Sequence, residues 1–301
     1  MAGGASEAYE AILALVPLDF SDPGDPLERI RAKFAEVHGL DPGPGVDVVA
    51  HDRGVEVRPE TSTDDEPSLD DRVVFFVHGG GFVTSPARDY TFWAAHVARR
   101  CGLATLVAEY RLAPETRFPD QLDDLDAAFD ELIAGGHAPS RVVVMGDSCG
   151  GGMGLATLVR RRDRGLVPAG AFVGLGGWYD LEANDVDGPT GDPFVHPDWL
   201  RLRGRDYVGP DGDPAHPHAS VVHADHVGMP PMLLQTGDLD PCLPGASRLA
   251  AAAIEAGVAV TVDVVPGVAQ GFQGMADLVP EADRAWRSVA GFIERHVPRV
   301  M

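Results

Sequence analysis

Apolar and polar positions along this chain change rhythm near residue 73. Before it, Ile12, Leu13 and Leu15, and then Leu27, Ile30 and Phe34, recur at helical spacing and predict helices over 6–15 and 26–38. Asp25-Pro26 marks the second start, with proline at the first helical position. Val46–Val49 and Val55–Val57, split by Asp52-Arg53-Gly54, predict a hairpin of short strands, and the acidic, Ser/Thr-rich stretch 59–71 a solvated loop. From there on, continuous apolar runs of strand length appear: Val73–Val77, Ala104–Ala108, Val142–Met145, Ala171–Leu175, Met232–Gln235 and Val260–Val265. Such runs are expected of strands covered on both faces. Helical stretches near 91–101, 122–135, 149–164, 246–257 and 281–296 lie between or after them. The pattern predicts one α/β domain over 1–301, with a mostly parallel sheet between two helical layers. Residues 177–230, rich in Gly, Pro, Asp and His, break the rhythm. They read as a lid that packs with residues 1–40 over the carboxyl ends of the strands.

Composition narrows the function. The chain has 301 residues, 45% of them hydrophobic, which suffices for a sizeable core. No apolar run approaches the roughly 20 residues that span a bilayer. The start carries acids and no basic stretch, so a secretory signal is not expected and a cytoplasmic location is. A formal net charge of −22 repels phosphate backbones and argues against nucleic-acid binding. Lys33 is the only lysine, which leaves Schiff-base chemistry no other candidate. Cys101, Cys149 and Cys242 have no metal-type spacing and no disulfide framework. Cys149 reads as a small side chain lining a pocket.

The chemistry lies at two strand ends. Gly146-Asp147-Ser148-Cys149-Gly150-Gly151 follows one apolar run and opens a helix. This strand, Gly-x-Ser-x-Gly turn and helix is a nucleophile elbow, which lifts the Ser148 oxygen into the crevice above the sheet. The helix start adds donors and a positive dipole end for a developing oxyanion. His78-Gly79-Gly80-Gly81-Phe82 follows another run, and its glycines let backbone N–H groups approach a substrate oxygen. His78 reads as a structural residue holding this loop. No Lys-Ser/Thr follows the glycines, so a phosphate cradle is disfavoured.

These motifs, with Tyr110-Arg-Leu-Ala-Pro-Glu115 and Phe118-Pro119 between them, resemble the hormone-sensitive-lipase family of α/β-hydrolase esterases over residues 70–296. The resemblance implies an α/β-hydrolase fold with an α-helical lid, and hydrolysis of small apolar acyl esters without metal or organic cofactor. It puts the nucleophile at Ser148 and the oxyanion donors at the N–H groups of Gly80, Gly81 and Cys149. The acid falls on Asp240, followed by Pro241, with Asp238 as the neighbouring candidate. Homodimers through the last strand and helix are common in the family. Two positions depart from the pattern: Gly176-Gly177-Trp178 stands where Ser-Pro-Trp is usual, and Gln270 where the base should be histidine, in Pro266-Gly-Val-Ala-Gln270-Gly-Phe272.

An amide has no basic lone pair at accessible pH. Gln270 is expected to accept from Ser148 and donate to Asp240, holding the geometry without moving a proton. Four readings follow: a slow ester hydrolase, or one with a base drawn from His196, His216, His218, His223 or His226; a non-hydrolytic enzyme for elimination, dehydration or cyclisation; a ligand-binding protein of the same fold; or a chain in which glutamine was introduced for histidine. Phe82, Cys149, Trp178, Tyr179 and Phe272 are the expected pocket lining, or else lid core. They make an apolar carbonyl substrate more plausible than a sugar phosphate.

Overall fold

The structure, a computed structural model, describes residues 4–15, 22–60, 70–182 and 191–299. Most of the expected acidic loop, 61–69, and part of the lid segment, 183–190, lie outside the described residues. Helices α1 (Glu7–Leu13) and α2 (Leu27–His38) lead into the hairpin β1 (Val46–His51) and β2 (Gly54–Pro59). Then come β3 (Val73–Val77), α3 (Thr91–Cys101), β4 (Ala104–Ala108), α4 (Asp120–Ala134), β5 (Val142–Asp147), α5 (Cys149–Asp163) and β6 (Ala171–Leu175). The chain closes with α6 (Pro197–Val208), β7 (Met232–Gly237), α7 (Leu243–Glu255), β8 (Val260–Val265) and α8 (Pro280–His296). The described strands form one eight-stranded sheet in the order β1-β2-β4-β3-β5-β6-β7-β8. Only the β1–β2 and β2–β4 pairings are antiparallel.

The continuous apolar runs have a simple cause. Side chains alternate between sheet faces, and both faces are covered. Val73, Phe75 and Val77 of β3, with Val142 and Val144 of β5, enter one buried layer with α4, α5 and α7. Val74, Phe76, Val143 and Met145 enter the other, with α3 and α8. Parallel register then brings strand ends together: Val77 pairs with Gly146, Asp147 with Leu175, Leu175 with Gln235, and Gly237 with Val265. Loops leaving β3, β5, β6, β7 and β8 therefore share one crevice, where ligands bind in open α/β sheets.

Helix α6 is the element the sequence pattern hides. Its buried residues Trp199, Leu200, Tyr207 and Val208 are interleaved with Arg201, Arg203 and Arg205. Arg203 is itself buried, its guanidinium 5.9 Å from the Trp199 ring, so a polar letter occupies an inward position. Pro197 opens the helix after His196, whose ring accepts the Asp198 N–H, and Gly209 (φ 81°) ends it. Ile30 and Phe34 of α2 and Trp199 and Leu200 of α6 belong to the same core layer as β3 and α5.

Candidate active site

Ser148 sits between β5 and α5 at φ 50°, ψ −123°, a backbone geometry that costs free energy and must be held by its surroundings. Its N–H donates to the Leu175 carbonyl (3.0 Å), and its own carbonyl accepts from Gly151 (2.9 Å) and Trp178 (2.8 Å). Glycine is required behind it: a Cβ at Gly150 would lie 2.1 Å from the Val77 carbonyl oxygen. The turn is thus wedged against the end of β3, with only 8% of Ser148 exposed.

The loop after β3 folds over this turn. Gly80 and Gly81 have φ of 98° and 60°, and Trp199 of α6 presses on Gly81 so closely that a Cβ there would meet its ring at 2.2 Å. The Gly80 carbonyl is used inside the loop, accepting from Val83, Thr84 N and Thr84 Oγ1. Cys149 Sγ accepts the Phe82 N–H (3.2 Å), and the Gly81 N–H also faces that sulfur. Burial pushes the thiol up to about 12, so it is a neutral tie between loop and helix rather than a reactive group. His78 is fully buried, stacked on Tyr110 (4.0 Å), with Nδ1 3.0 Å from the Gly79 carbonyl. Burial lowers it to about 4. It holds the loop, as its structural reading expects.

Asp240 follows β7 and is 2% exposed. Its carboxyl accepts the Cys242 N–H (2.7 Å) and the Thr236 hydroxyl (3.0 Å). Burial pushes it up to about 8, with the nearby Asp192 adding to the rise and the hydrogen bonds opposing it. Asp238 is exposed and accepts the Gly267 N–H, so it fastens the turn after β8 instead.

Gln270 lies beside Asp240: a Cβ at Gly176 would meet Gln270 Cγ at 3.0 Å and Asp240 Oδ2 at 3.2 Å. The expected hydrogen bonds, however, are replaced by others. Gln270 Nε2 donates to the Gly176 carbonyl (3.0 Å) and to Cys242 Sγ (3.3 Å). Both amide hydrogens are therefore committed away from Asp240, toward acceptors supplied by the ends of β6 and β7. The Gln270 N–H donates to Asp192 of the lid segment (2.7 Å), whose carboxyl burial raises to about 6.

A cavity of about 250 Å³ opens at Ser148, bounded by Gly80, Gly81, Asp147 and Gln270 on the sheet side. Its walls are apolar, from Phe34, Phe92, Trp93, Phe194, Trp199 and Met275. The aromatics expected there are elsewhere. Phe82 stacks on Tyr207 (3.9 Å) with Trp178 alongside (5.2 Å), Tyr179 packs under Gly177, and Phe272 belongs to the opposite core layer. These side chains turn down into the layers, and the walls come instead from Phe34 of α2, Trp199 of α6, Phe92 and Trp93 of α3, and Phe194 and Met275 from the segments before α6 and α8.

None of the lid histidines lines this cavity. His196 caps α6, His216 accepts the His218 N–H, His218 lies 3.5 Å from Asp163, His223 lies 3.4 Å from Glu182, and His226 is buried. The cavity does contain His38, from the end of α2, and Asp147, which the sequence reading passed over. The Tyr90 hydroxyl donates to Asp147 Oδ2 (2.9 Å), while Oδ1 is buried and makes no hydrogen bond. Burial pushes this carboxyl up to about 7. The signal for His38 was present: Ile30, Phe34 and His38 form one i, i+4, i+8 stripe on α2.

A strained strand–turn–helix junction under a glycine loop, at the carboxyl ends of a mostly parallel sheet, defines a class. Residues 74–274 match the alpha/beta hydrolase fold family, and this chain belongs to it. An acetyl-hydrolase of Streptomyces hygroscopicus is 29% identical over 298 residues, spanning 96% of this chain and 97% of its own. An ethyl acetate hydrolase of Pseudomonas putida is 27% identical over 256 residues, 77% of this chain and 76% of its own. Among solved structures, an esterase from the bacterial hormone-sensitive lipase family aligns with a TM-score of 0.87 at 28% identity, covering 98% of this chain and 100% of that one. Among the described residues, no helix is long and apolar enough to cross a membrane.

Proposed function

We propose that this chain hydrolyses carboxylic esters with small apolar acyl groups in the cavity at Ser148, at a rate held down by Gln270. It is a carboxylesterase-like serine hydrolase, the class its esterase and acetyl-hydrolase relatives share. The observation that carries the reading is Ser148 itself, strained on its turn and opening on an apolar cavity beside Gly80 and Gly81.

In this reaction Ser148 Oγ attacks the ester carbonyl carbon, and the carbonyl electron pair moves onto oxygen. The N–H groups of Gly80, Gly81 and Cys149 are assigned to that oxygen, with the α5 dipole behind them. Collapse breaks the bond to the alcohol, and water then releases the acid from Ser148. Each half needs a proton taken from the nucleophile and given to the leaving group. Gln270, neutral and with its amide hydrogens engaged, does not supply that transfer. In a serine protease, loss of the histidine costs on the order of 10⁶ in turnover, about 8 kcal/mol of barrier. Oxyanion stabilisation and binding alone leave roughly 10³–10⁴ over water.

The test is hydrolysis of p-nitrophenyl acetate and butyrate by the full chain. Ser148→Ala is expected to lose the acylated chain and labelling by a fluorophosphonate with an unchanged melt, and to lower kcat/KM by less than the same change does in a complete triad. Full activity in that variant would remove Ser148 as nucleophile. A second reading, conversion or holding of a carbonyl ligand without hydrolysis, is favoured by the engaged Gln270 amide. It predicts turnover or binding that survives Ser148→Ala. Cavity size sets a further expectation. Trp199 closes the cavity over Gly81, so Trp199→Ala should shift preference from acetate toward hexanoate by about tenfold in kcat/KM. Unchanged chain-length preference would place the acyl group elsewhere.

A further inference from the structure

We propose that His38, at the end of lid helix α2, is the proton acceptor and donor for Ser148, taking the part that position 270 does not fill. The inference rests on the esterase reading above. Among the described residues His38 is the one histidine that lines the cavity holding Ser148.

Its ring is fixed in place without a hydrogen bond. The imidazole is stacked between Phe34 (5.5 Å between centroids, 11° between planes) and Tyr90 (4.9 Å, 14°). Nδ1 is buried and has no partner. An unsatisfied buried nitrogen costs about 1–3 kcal/mol, a cost that a phenyl ring in the same stack would not carry. Buried, unpartnered imidazole nitrogens also occur at His78, His96 and His226, so what distinguishes His38 is its place in the wall of the Ser148 cavity. The charged form is disfavoured at rest, because burial lowers the imidazole to about 4.

A buried carboxyl lies next to this stack. Tyr90, on which the ring lies, donates to Asp147, the residue before Ser148. Asp147 thus places a titratable carboxyl beside the place where charge develops. His78 lies close enough for His38 to lower it electrostatically, and Asp89 approaches the neighbouring Gly39. Burial holds the imidazole neutral at neutral pH, the form able to accept a proton. Gln270 faces the same cavity.

In the acylation half, the Ser148 Oγ–H proton passes to an imidazole nitrogen, directly or through one water, as the Oγ–C bond forms. The imidazolium returns it to the alkoxide as the C–O bond breaks. In the second half a proton of the attacking water goes to the imidazole and then to Ser148 Oγ. No oxidant, metal or further reactant enters.

The test compares His38→Phe, which keeps the aromatic stack, and His38→Gln in two backgrounds. Acylation by p-nitrophenyl acetate is followed by released nitrophenolate and by intact mass of the acylated chain. In the wild type each substitution should lower the acylation rate about 100-fold, with KM within about threefold and the melt of His38→Phe retained. With Gln270→His present, the loss should be at least about tenfold smaller, because a second base shares the transfer. An unchanged rate in wild-type His38→Phe, or an equal loss in both backgrounds, overturns the role of His38. Acylation that persists in Ser148→Ala instead overturns the esterase reading, so the two failures are told apart.

Discussion

Gln270→His is expected to raise kcat/KM toward p-nitrophenyl acetate by about 10²-fold or more, the gain that a positioned general base supplies. The site is prepared for it. Gln270 Cγ and Asp240 Oδ2 already lie against the same point above the Gly176 backbone. An imidazole built from that Cγ keeps the stem where it is and turns one nitrogen toward Asp240, leaving the other for the cavity that Gln270 shares with Ser148. The substitution also releases the two acceptors that now hold the amide, the Gly176 carbonyl and Cys242 Sγ. Steady-state hydrolysis, with Ser148→Ala as the blank, checks the result. If histidine brings no gain while turnover still depends on Ser148, the base is already supplied from elsewhere in the cavity; no gain together with no Ser148-dependent turnover gives way to the non-hydrolytic reading.

The second large effect concerns stability. Asp240 has no cationic partner among its hydrogen bonds, and burial pushes its carboxyl up to about 8. A carboxyl that titrates near 4 when unfolded then binds its proton more tightly when folded. Between those two values the folded chain carries more protons than the unfolded one, so stability falls as pH rises and stays low above pH 8. Asp147, raised to about 7, and Asp192, raised to about 6, act in the same sense. The wild type is therefore expected to melt higher near pH 6 than near pH 8.5. Asp240→Asn keeps an acceptor for the Cys242 N–H and cannot ionise. It should be more stable than wild type at pH 8.5 by about 2 kcal/mol, with the advantage fading toward pH 5. Thermal melts across that range decide it. An asparagine variant less stable than wild type at every pH would show that the carboxylate is stabilised in the fold.

The sequence was most informative where one physical rule operated alone. Val73–Val77, Ala104–Ala108 and Ala171–Leu175 are strands with the expected bounds, because an unbroken apolar run of that length is what a covered strand needs; Val260–Val265 keeps its bounds too, but as a partly exposed edge strand broken by Thr261 and Asp263. The positions of Ser148, the glycine loop, Asp240 and Gln270 at neighbouring strand ends were legible for a related reason: each follows a run. Tertiary context decided the rest. Helix α6 places Arg203 inward against Trp199, which a hydrophobic stripe does not anticipate. Phe82, Trp178 and Phe272 turn toward the core layers because of the backbone path at their turns, which composition does not contain. The Gln270 amide goes to Gly176 and Cys242, acceptors 94 and 28 residues away in sequence. His38 was legible as a continuation of the Ile30–Phe34 stripe, but only the fold puts that stripe over Ser148.

That shared stripe has a consequence for how the cavity is reached. Phe34 and Trp199, stacked at 5.9 Å, roof the cavity and at the same time belong to the buried layer that contains Phe75 and Met153. Among the described residues, Ile30 and Phe34 of α2 and Trp199 and Leu200 of α6 have no core cluster separate from that layer. Swinging α2 and α6 away as a flap would expose the layer beneath. Roof and foundation consequently share one cooperative unit: a change that widens the mouth draws on the stability of the whole chain.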